Sequence, residues 1–103
     1  MEDNRLYTSP VRIEWDPAKA AANLQAHGIS FAEAATVLDD DFALTREDPD
    51  ANEELRFVTL GLSDVGTLLV VVYAHSEPDT TLRVISAWKA NKRQGVRYEK
   101  SRR

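Results

Sequence analysis

At 103 residues, 43% hydrophobic and 29% charged, the chain reads as one ordinary globular domain, with roughly 65% of its unfolded surface buried on folding. It has no cysteine, which removes disulfides, thiolate nucleophiles and cysteine zinc sites; its longest apolar run, Leu68 to Ala74, is too short to cross a bilayer, and the polar Met1–Asn4 is unlike a signal peptide, so the chain reads as cytoplasmic with no membrane partner. A formal net charge of −4 argues against nucleic acid only on average, because eight of the thirteen basic residues lie from Leu82 onward.

Residues 1–10 read as a flexible leader ahead of a single α+β domain over residues 11–103. The first strand is Val11 to Trp15. Asp16-Pro17 then opens a helix, Asp as N-cap and Pro at the first helical position where its missing N–H costs nothing. The helix runs to about His27, and Gly28 can take the left-handed conformation that stops it. Ser30 and Glu33 have capping-box spacing and predict a second helix from Phe31 to about Leu38. Asp39-Asp40-Asp41 follows. Consecutive carboxylates on a strand or turn rarely converge as a hard-cation site needs, so no metal site and no cofactor are expected.

Phe42 to Glu47 reads as a strand and Asp48 to Asn52 as a polar turn. Glu53 to Leu62 is a longer strand, joined by Ser63-Asp64-Val65-Gly66 to Thr67 through His75. The last of these is apolar on both faces, which places it centrally in a sheet, with Val70 and Val72 deeply buried. Glu77-Pro78-Asp79 turns the chain into a strand from Leu82 to Lys89, in which Leu82, Val84, Ser86 and Trp88 alternate with Arg83, Ile85, Ala87 and Lys89. From Lys92 the chain is expected to be at least partly helical, with Gly95 a weak point. The sum is an antiparallel four- to five-stranded sheet with the two N-terminal helices on one face and a C-terminal helix.

The end of the chain departs from the rest in charge. From Leu82 onward eight basic residues face one acidic residue, Glu99, while the first 81 residues carry five basic and sixteen acidic ones. Such asymmetry points to two surfaces with different partners. A buried strand handing the chain to a cationic tail suits a phosphate-containing ligand, bound by Arg and Lys through charge-assisted hydrogen bonds. A last strand followed by a solvated helix has the same composition.

The segment RVISAWKANKRQGVRYE resembles the end of the BrnT family, small RelE-like ribonuclease toxins encoded beside an antitoxin. Arg83, Ser86, Ala87, Lys89, Lys92, Arg93 and Tyr98 match the family pattern; Trp88 stands where an Arg is common, and Gln94 where a Glu is common. Trp15-Asp16, Lys19, Asn23, His27-Gly28, Phe31, Glu33 and Ala34 match its opening, and Arg56 and Gly61 its middle. The resemblance spans about Ile13 to Glu99. It implies a RelE-like toxin of a type II toxin–antitoxin system, an endoribonuclease neutralised by a cognate antitoxin with a ribbon-helix-helix DNA-binding domain, the toxin itself making no direct DNA contact.

Read as chemistry, Lys19, Asn23 and His27 fall on one side of the first helix, beside an Ala20–Leu24 apolar stripe. His27 is also placed to cap the helix C-terminus, Lys19 reads equally as an exposed helix lysine, and Asn23 as a hydrogen bond to a loop. Arg56 and Arg83 interrupt strands of Leu, Phe, Val and Ile, where an arginine must find water, an anion or a carboxylate. If Leu62 pairs with Thr67, both lie opposite Tyr73, one on each side; a one-residue slip would change the face. Metal-independent RNA cleavage needs a base for the 2′-hydroxyl, cations for the developing phosphorane charge and an acid for the leaving 5′-oxygen. Arg56 and Arg83 would supply the charge and His27, Lys89 or Tyr98 the proton transfer, histidine being the easiest to tune near neutrality. Lys19, Lys92, Arg93 and Arg97 are the candidate RNA-binding cations. Arg56, Arg83 and His27 are expected to border one depression, with Glu33 or Glu54 holding the arginines when RNA is absent. Trp88 in place of an arginine removes a phosphate contact, though its ring can stack on a base or simply join the core. The alternative to an active ribonuclease is a catalytically weakened toxin fold that only binds an antitoxin in a repressor complex.

Overall fold

β1 (Arg12–Trp15) hands the chain to α1 (Pro17–His27) through the cap that Asp16-Pro17 encodes: Asp16 Oδ1 accepts from the Ala18 N–H at 2.9 Å. Gly28, at φ 73°, closes α1 by donating its N–H to the Leu24 carbonyl. The computed structural model describes residues 12–51, 54–76 and 81–102; the proposed leader, the start of the third strand at Glu53 and the turn at Pro78 lie outside these. Ser30 caps α2 (Phe31–Thr36), its Oγ accepting from the Glu33 N–H at 3.0 Å. Glu33 does not complete the box. Its carboxylate instead accepts a hydrogen bond from Ser63 Oγ at 2.7 Å, tying α2 to the hairpin between the two longest expected strands. A single 3₁₀ turn, Val37–Asp39, finishes α2.

The remaining elements are β2 (Leu44–Glu47), β3 (Arg56–Leu62), β4 (Leu68–Ser76), β5 (Thr81–Lys89) and α3 (Lys92–Ser101). They form one five-stranded sheet in the order β1-β5-β4-β3-β2, with β4 at the centre as its two-sided apolar run requires. β2 to β5 make the expected antiparallel meander. The sheet is nevertheless mixed, because β1 adds to the outer edge of β5 in parallel, Arg12 to Trp15 lying against Thr81 to Val84. The chain leaves β1 through two helices before entering the meander at the far edge. A long helical crossover of that kind, unlike a hairpin, allows the first and last strands to run the same way.

The core has two parts, one on each face. Under α1 and α2 lie Phe31, Ala34, Val37, Leu69, Val71, Tyr73, Val84 and Ala87; under α3 lie Leu60, Val70 and Tyr98, with Leu62, Leu68 and Trp88 packed against them. α3 is ten residues long and covers only one end of its face. Val72 is therefore half-buried, not deeply buried as expected, while Val70 beneath α3 is 3% exposed. Gly61 permits the 3₁₀ turn to approach β3: a Cβ there would stand 3.0–3.1 Å from Val37, Ala43 and Asp40.

A β-bulge changes the phase of β5. Val72 faces Ser86 and Tyr73 faces Val84, so Ile85 is the extra residue. Val84 and Ala87 both enter the α1/α2 core, and Trp88 joins the α3 side. Strict alternation would separate Arg83 from Trp88; the bulge puts Arg83, Ser86 and Trp88 on one face.

Candidate active site on the open face of the sheet

Arg56 and Arg83 both lie opposite Ala74, one from each neighbouring strand. Tyr73 was the expected partner; the hairpin pairs Leu62 with Leu68 instead of Thr67, which moves the register by one residue. The arginines still share a face, on the side away from α1 and α2. They converge on Glu54: Arg56 donates Nε and Nη2 to Oε2 at 3.2 and 3.1 Å, and Arg83 donates Nη2 to Oε1 and Oε2 at 2.9 and 2.8 Å. The hydrogen bond from Arg83, joined by that from Arg56 and by both positive charges, holds the Glu54 carboxyl below the usual carboxylate range despite its partial desolvation. The side chains remain 39%, 38% and 31% exposed for Arg56, Arg83 and Glu54, so water and a solute can reach this cluster. Two guanidinium groups on one small anion form a seat whose chemistry also suits phosphate.

From this seat the same face continues uncovered toward α3. The register places Arg46, Val58, Val72 and Ser86 in the next row across the sheet, then Leu44, Leu60, Val70 and Trp88. A depression of about 110 Å³ opens between β2, β3 and α3, with Arg46, Val58, Val70, Gln94 and Arg97 among its walls.

Arg56, Arg83 and His27 do not border one depression as expected: the histidine stands at the other end of the sheet, beside Trp88. His27 is exposed at the end of α1, its ring centroid 6.2 Å from that of Trp88. Trp88 lies opposite Val70, four residues along β4 from Ala74, which sets the His27 end of the face roughly 13 Å from the arginine seat at about 3.3 Å per residue. Asn23 explains how α1 comes to lie along the β5 edge. It accepts from the Ala87 N–H at 3.1 Å and donates to the Ala87 and Ile29 carbonyls at 2.8 and 3.1 Å, so a side-chain amide takes the place of a neighbouring strand. The helix turns Asn23 and Ala20 inward, but Leu24, the other half of the expected apolar stripe, is left 52% exposed.

Tyr98 does return to the sheet, but as core. It is 1% exposed and donates its hydroxyl to Asp40 Oδ2 at 2.5 Å. Burial and that carboxylate push the phenol up to about 12. Asp40 also accepts the Leu62 and Phe42 N–H groups; burial pushes its carboxyl up, but these bonds, the Tyr98 hydroxyl and the Arg102 charge outweigh it and leave it lowered. Asp40 is thus a pin between the 3₁₀ turn, β3 and α3. Lys89 pairs with Leu69 on the α1/α2 side and stands apart from the arginines. Lys19 is exposed on α1, and Lys92, Arg93 and Arg97 on α3.

Residues 15–94 match the family model described as the ribonuclease toxin, BrnT, of type II toxin–antitoxin systems. The chain belongs to the BrnT family. The crystal structure of the Brucella abortus ribonuclease toxin BrnT superposes with a TM-score of 0.58 at 23% identity, over 80% of this chain and 99% of that one, a likeness of fold. No curated protein sequence matches significantly. The BrnT fold here is α+β: a five-stranded mixed sheet with two N-terminal helices and one C-terminal helix. Among the described residues no helix is long and apolar enough to cross a membrane.

Several residues that carry the BrnT resemblance prove to be fold residues: Asn23 ties the β5 edge, Gly28 ends α1, Glu33 holds the hairpin and Gly61 admits the 3₁₀ turn. The Gln94 departure is accounted for as well. Its Oε1 accepts from the Asn91 N–H while Asn91 Oδ1 accepts from the Gln94 N–H, both at 2.8 Å, a complete capping box in which glutamine does the work of glutamate. Sequence reasoning missed Arg46, weighed Asp40 only as a cation ligand, and named Glu54 only as one of two possible partners. The alternation of Glu54 with Arg56 was a usable signal for a shared face. Nothing local marks Asp40 as the partner of a tyrosine 58 positions away.

Proposed function

We propose that this BrnT toxin is a metal-independent endoribonuclease that works on the open face of the sheet and is neutralised by a cognate ribbon-helix-helix antitoxin, in the cytoplasm and without touching DNA itself. The observation that carries this reading is the pair Arg56 and Arg83 closed on a single carboxylate at an accessible end of that face. In the reaction a phosphodiester displaces Glu54. A base takes the 2′-hydroxyl proton as the 2′-oxygen attacks phosphorus, the bond to the 5′-oxygen breaks as an acid protonates that oxygen, and the products are a 2′,3′-cyclic phosphate and a free 5′-hydroxyl. The guanidinium groups stabilise the charge that develops on the non-bridging oxygens. Of the three proton-transfer candidates, His27 is the one that suits: Tyr98 is sealed and spends its proton on Asp40, and Lys89 belongs to the other face. Released from Glu54, the long Arg83 side chain can swing along the face toward His27, while Trp88 offers a stacking surface beside it. Arg46, beside the arginine seat, and Lys19 on α1 would guide the flanking backbone.

The test has two arms. Expression of the chain alone should arrest growth, and the adjacent gene product should relieve it; the purified protein should cleave RNA in the presence of EDTA. Cleavage that stops with EDTA and returns with magnesium overturns metal independence. A second reading has a specific observation behind it, because Glu54 occupies both arginines and Trp88 stands at an arginine position. In that reading the chain only holds the antitoxin, and growth is indifferent to its expression.

A further inference from the structure

Resting on the reading that an antitoxin binds this toxin, we propose that the outward side of α3 is its docking surface, and that the docked part is an acidic amphipathic segment with Val96 as the contact centre. Val96 is 51% exposed in the middle of α3, with Lys92 and Lys100 one turn away on either side and Arg93 and Arg97 flanking it. Two shallow depressions meet there. One is walled by Val96 and the stems of the four basic residues, and its lining is almost wholly aliphatic. The other lies between α3 and the β3–β4 hairpin, over Leu62 and Leu68, with Gly95 on its wall; a Cβ there would project into it, meeting only Leu68 Cδ2, at 4.0 Å.

Charge and shape together select the partner. Among the described residues no carboxylate pairs with Lys92, Arg93, Arg97 or Lys100; Glu99 pairs with Arg102 at 3.5 Å. Single-stranded RNA is held by cations combined with aromatic faces, and the only ring lining either depression is that of the buried Tyr98. An aliphatic floor inside a ring of cations is instead the complement of a helix or strand that carries apolar anchors between carboxylates. The arginine seat lies at the far end of the same sheet face, so the antitoxin can hold α3 while its bulk obstructs the open face beside it.

The test is calorimetric titration of the full-length toxin with the antitoxin encoded beside it, for the wild type and for Val96→Glu, Lys100→Glu and Gly95→Ala. Val96→Glu and Lys100→Glu should each weaken binding at least tenfold, and added salt should weaken wild-type binding. Val96→Glu should leave cleavage by the free toxin unchanged. Gly95→Ala should raise the melting temperature yet weaken the complex, a combination that a purely structural role for the helix does not produce. Wild-type affinity in all three variants places docking elsewhere and overturns the proposal while the antitoxin reading stands. Loss of RNA cleavage with antitoxin affinity intact assigns the surface to RNA, and loss of self-association alone assigns it to a second copy; either result overturns it. Failure of the wild-type toxin to bind the antitoxin removes the partner reading itself.

Discussion

Arg56 and Arg83 stand on opposite sides of Ala74 and close on one carboxylate, that of Glu54. Ion pairs this exposed contribute about 0.5–1 kcal/mol each after solvent screening, so the cluster is a weak element of stability. Arg83→Ala should therefore lower the melting temperature by only a few degrees while reducing RNA cleavage about 100-fold or more. Thermal melts and single-turnover cleavage on the same preparation check both; a parallel collapse of folding would make Arg83 a structural residue.

Glu54 bears on the acid side of the stability curve. Its folded carboxyl is lowered, chiefly by Arg83, so the folded state holds fewer protons than the unfolded chain below the ordinary value of 4.5. Its contribution is complete above that value and is lost as pH falls through the lowered folded value. Glu54→Gln should lose part of this acid-induced destabilisation, Asp40 supplying the rest. The same variant empties the arginine seat of its charge, and inorganic phosphate should bind more tightly than to the wild type, which titration of the folded protein can read.

Tyr98→Phe should separate core from catalysis. The substitution removes one hydrogen bond and leaves Asp40 with the Leu62 and Phe42 amides, a loss of about 1 kcal/mol by urea denaturation. Cleavage per folded molecule should be unchanged. Because the phenol is pushed up to about 12, its contribution is complete below its ordinary value of 10.0 and is lost as pH rises from there through about 12, a limb absent from the variant.

Asn23→Ala should cost about 3 kcal/mol in a denaturant melt, since it orphans the Ala87 N–H and two buried carbonyls at once. Asn23→Asp should be worse. An aspartate can still accept from Ala87 but cannot donate to the carbonyls, and it places a charge in a site only 7% exposed.

The local elements were legible in the order of residues. Asp16-Pro17, Gly28 and Ser30 mark helix ends within a few residues of themselves, where the chemistry of a cap is complete, and the run from Leu68 to Val72 identifies the central strand by its apolar faces. The need of Arg56 and Arg83 for water or a counter-charge was equally visible, because an arginine between aliphatic neighbours must keep its guanidinium solvated or paired. The family resemblance supplied the activity and the antitoxin, which no periodicity contains.

Packing settled the rest. Whether Arg83 shares a face with Trp88 depends on one unpaired residue, Ile85, and β5 accepts that bulge because it lets both Val84 and Ala87 enter the core under α1 and α2. A one-residue shift inverts every later side chain, and the alternation of residues carries no mark of it. The parallel attachment of β1, the union of Asp40 with Tyr98 and the meeting of His27 with Trp88 likewise join segments far apart in the chain. Their partners are chosen by burial and by unsatisfied hydrogen-bonding groups, which exist only once the sheet and its helices have closed on one another.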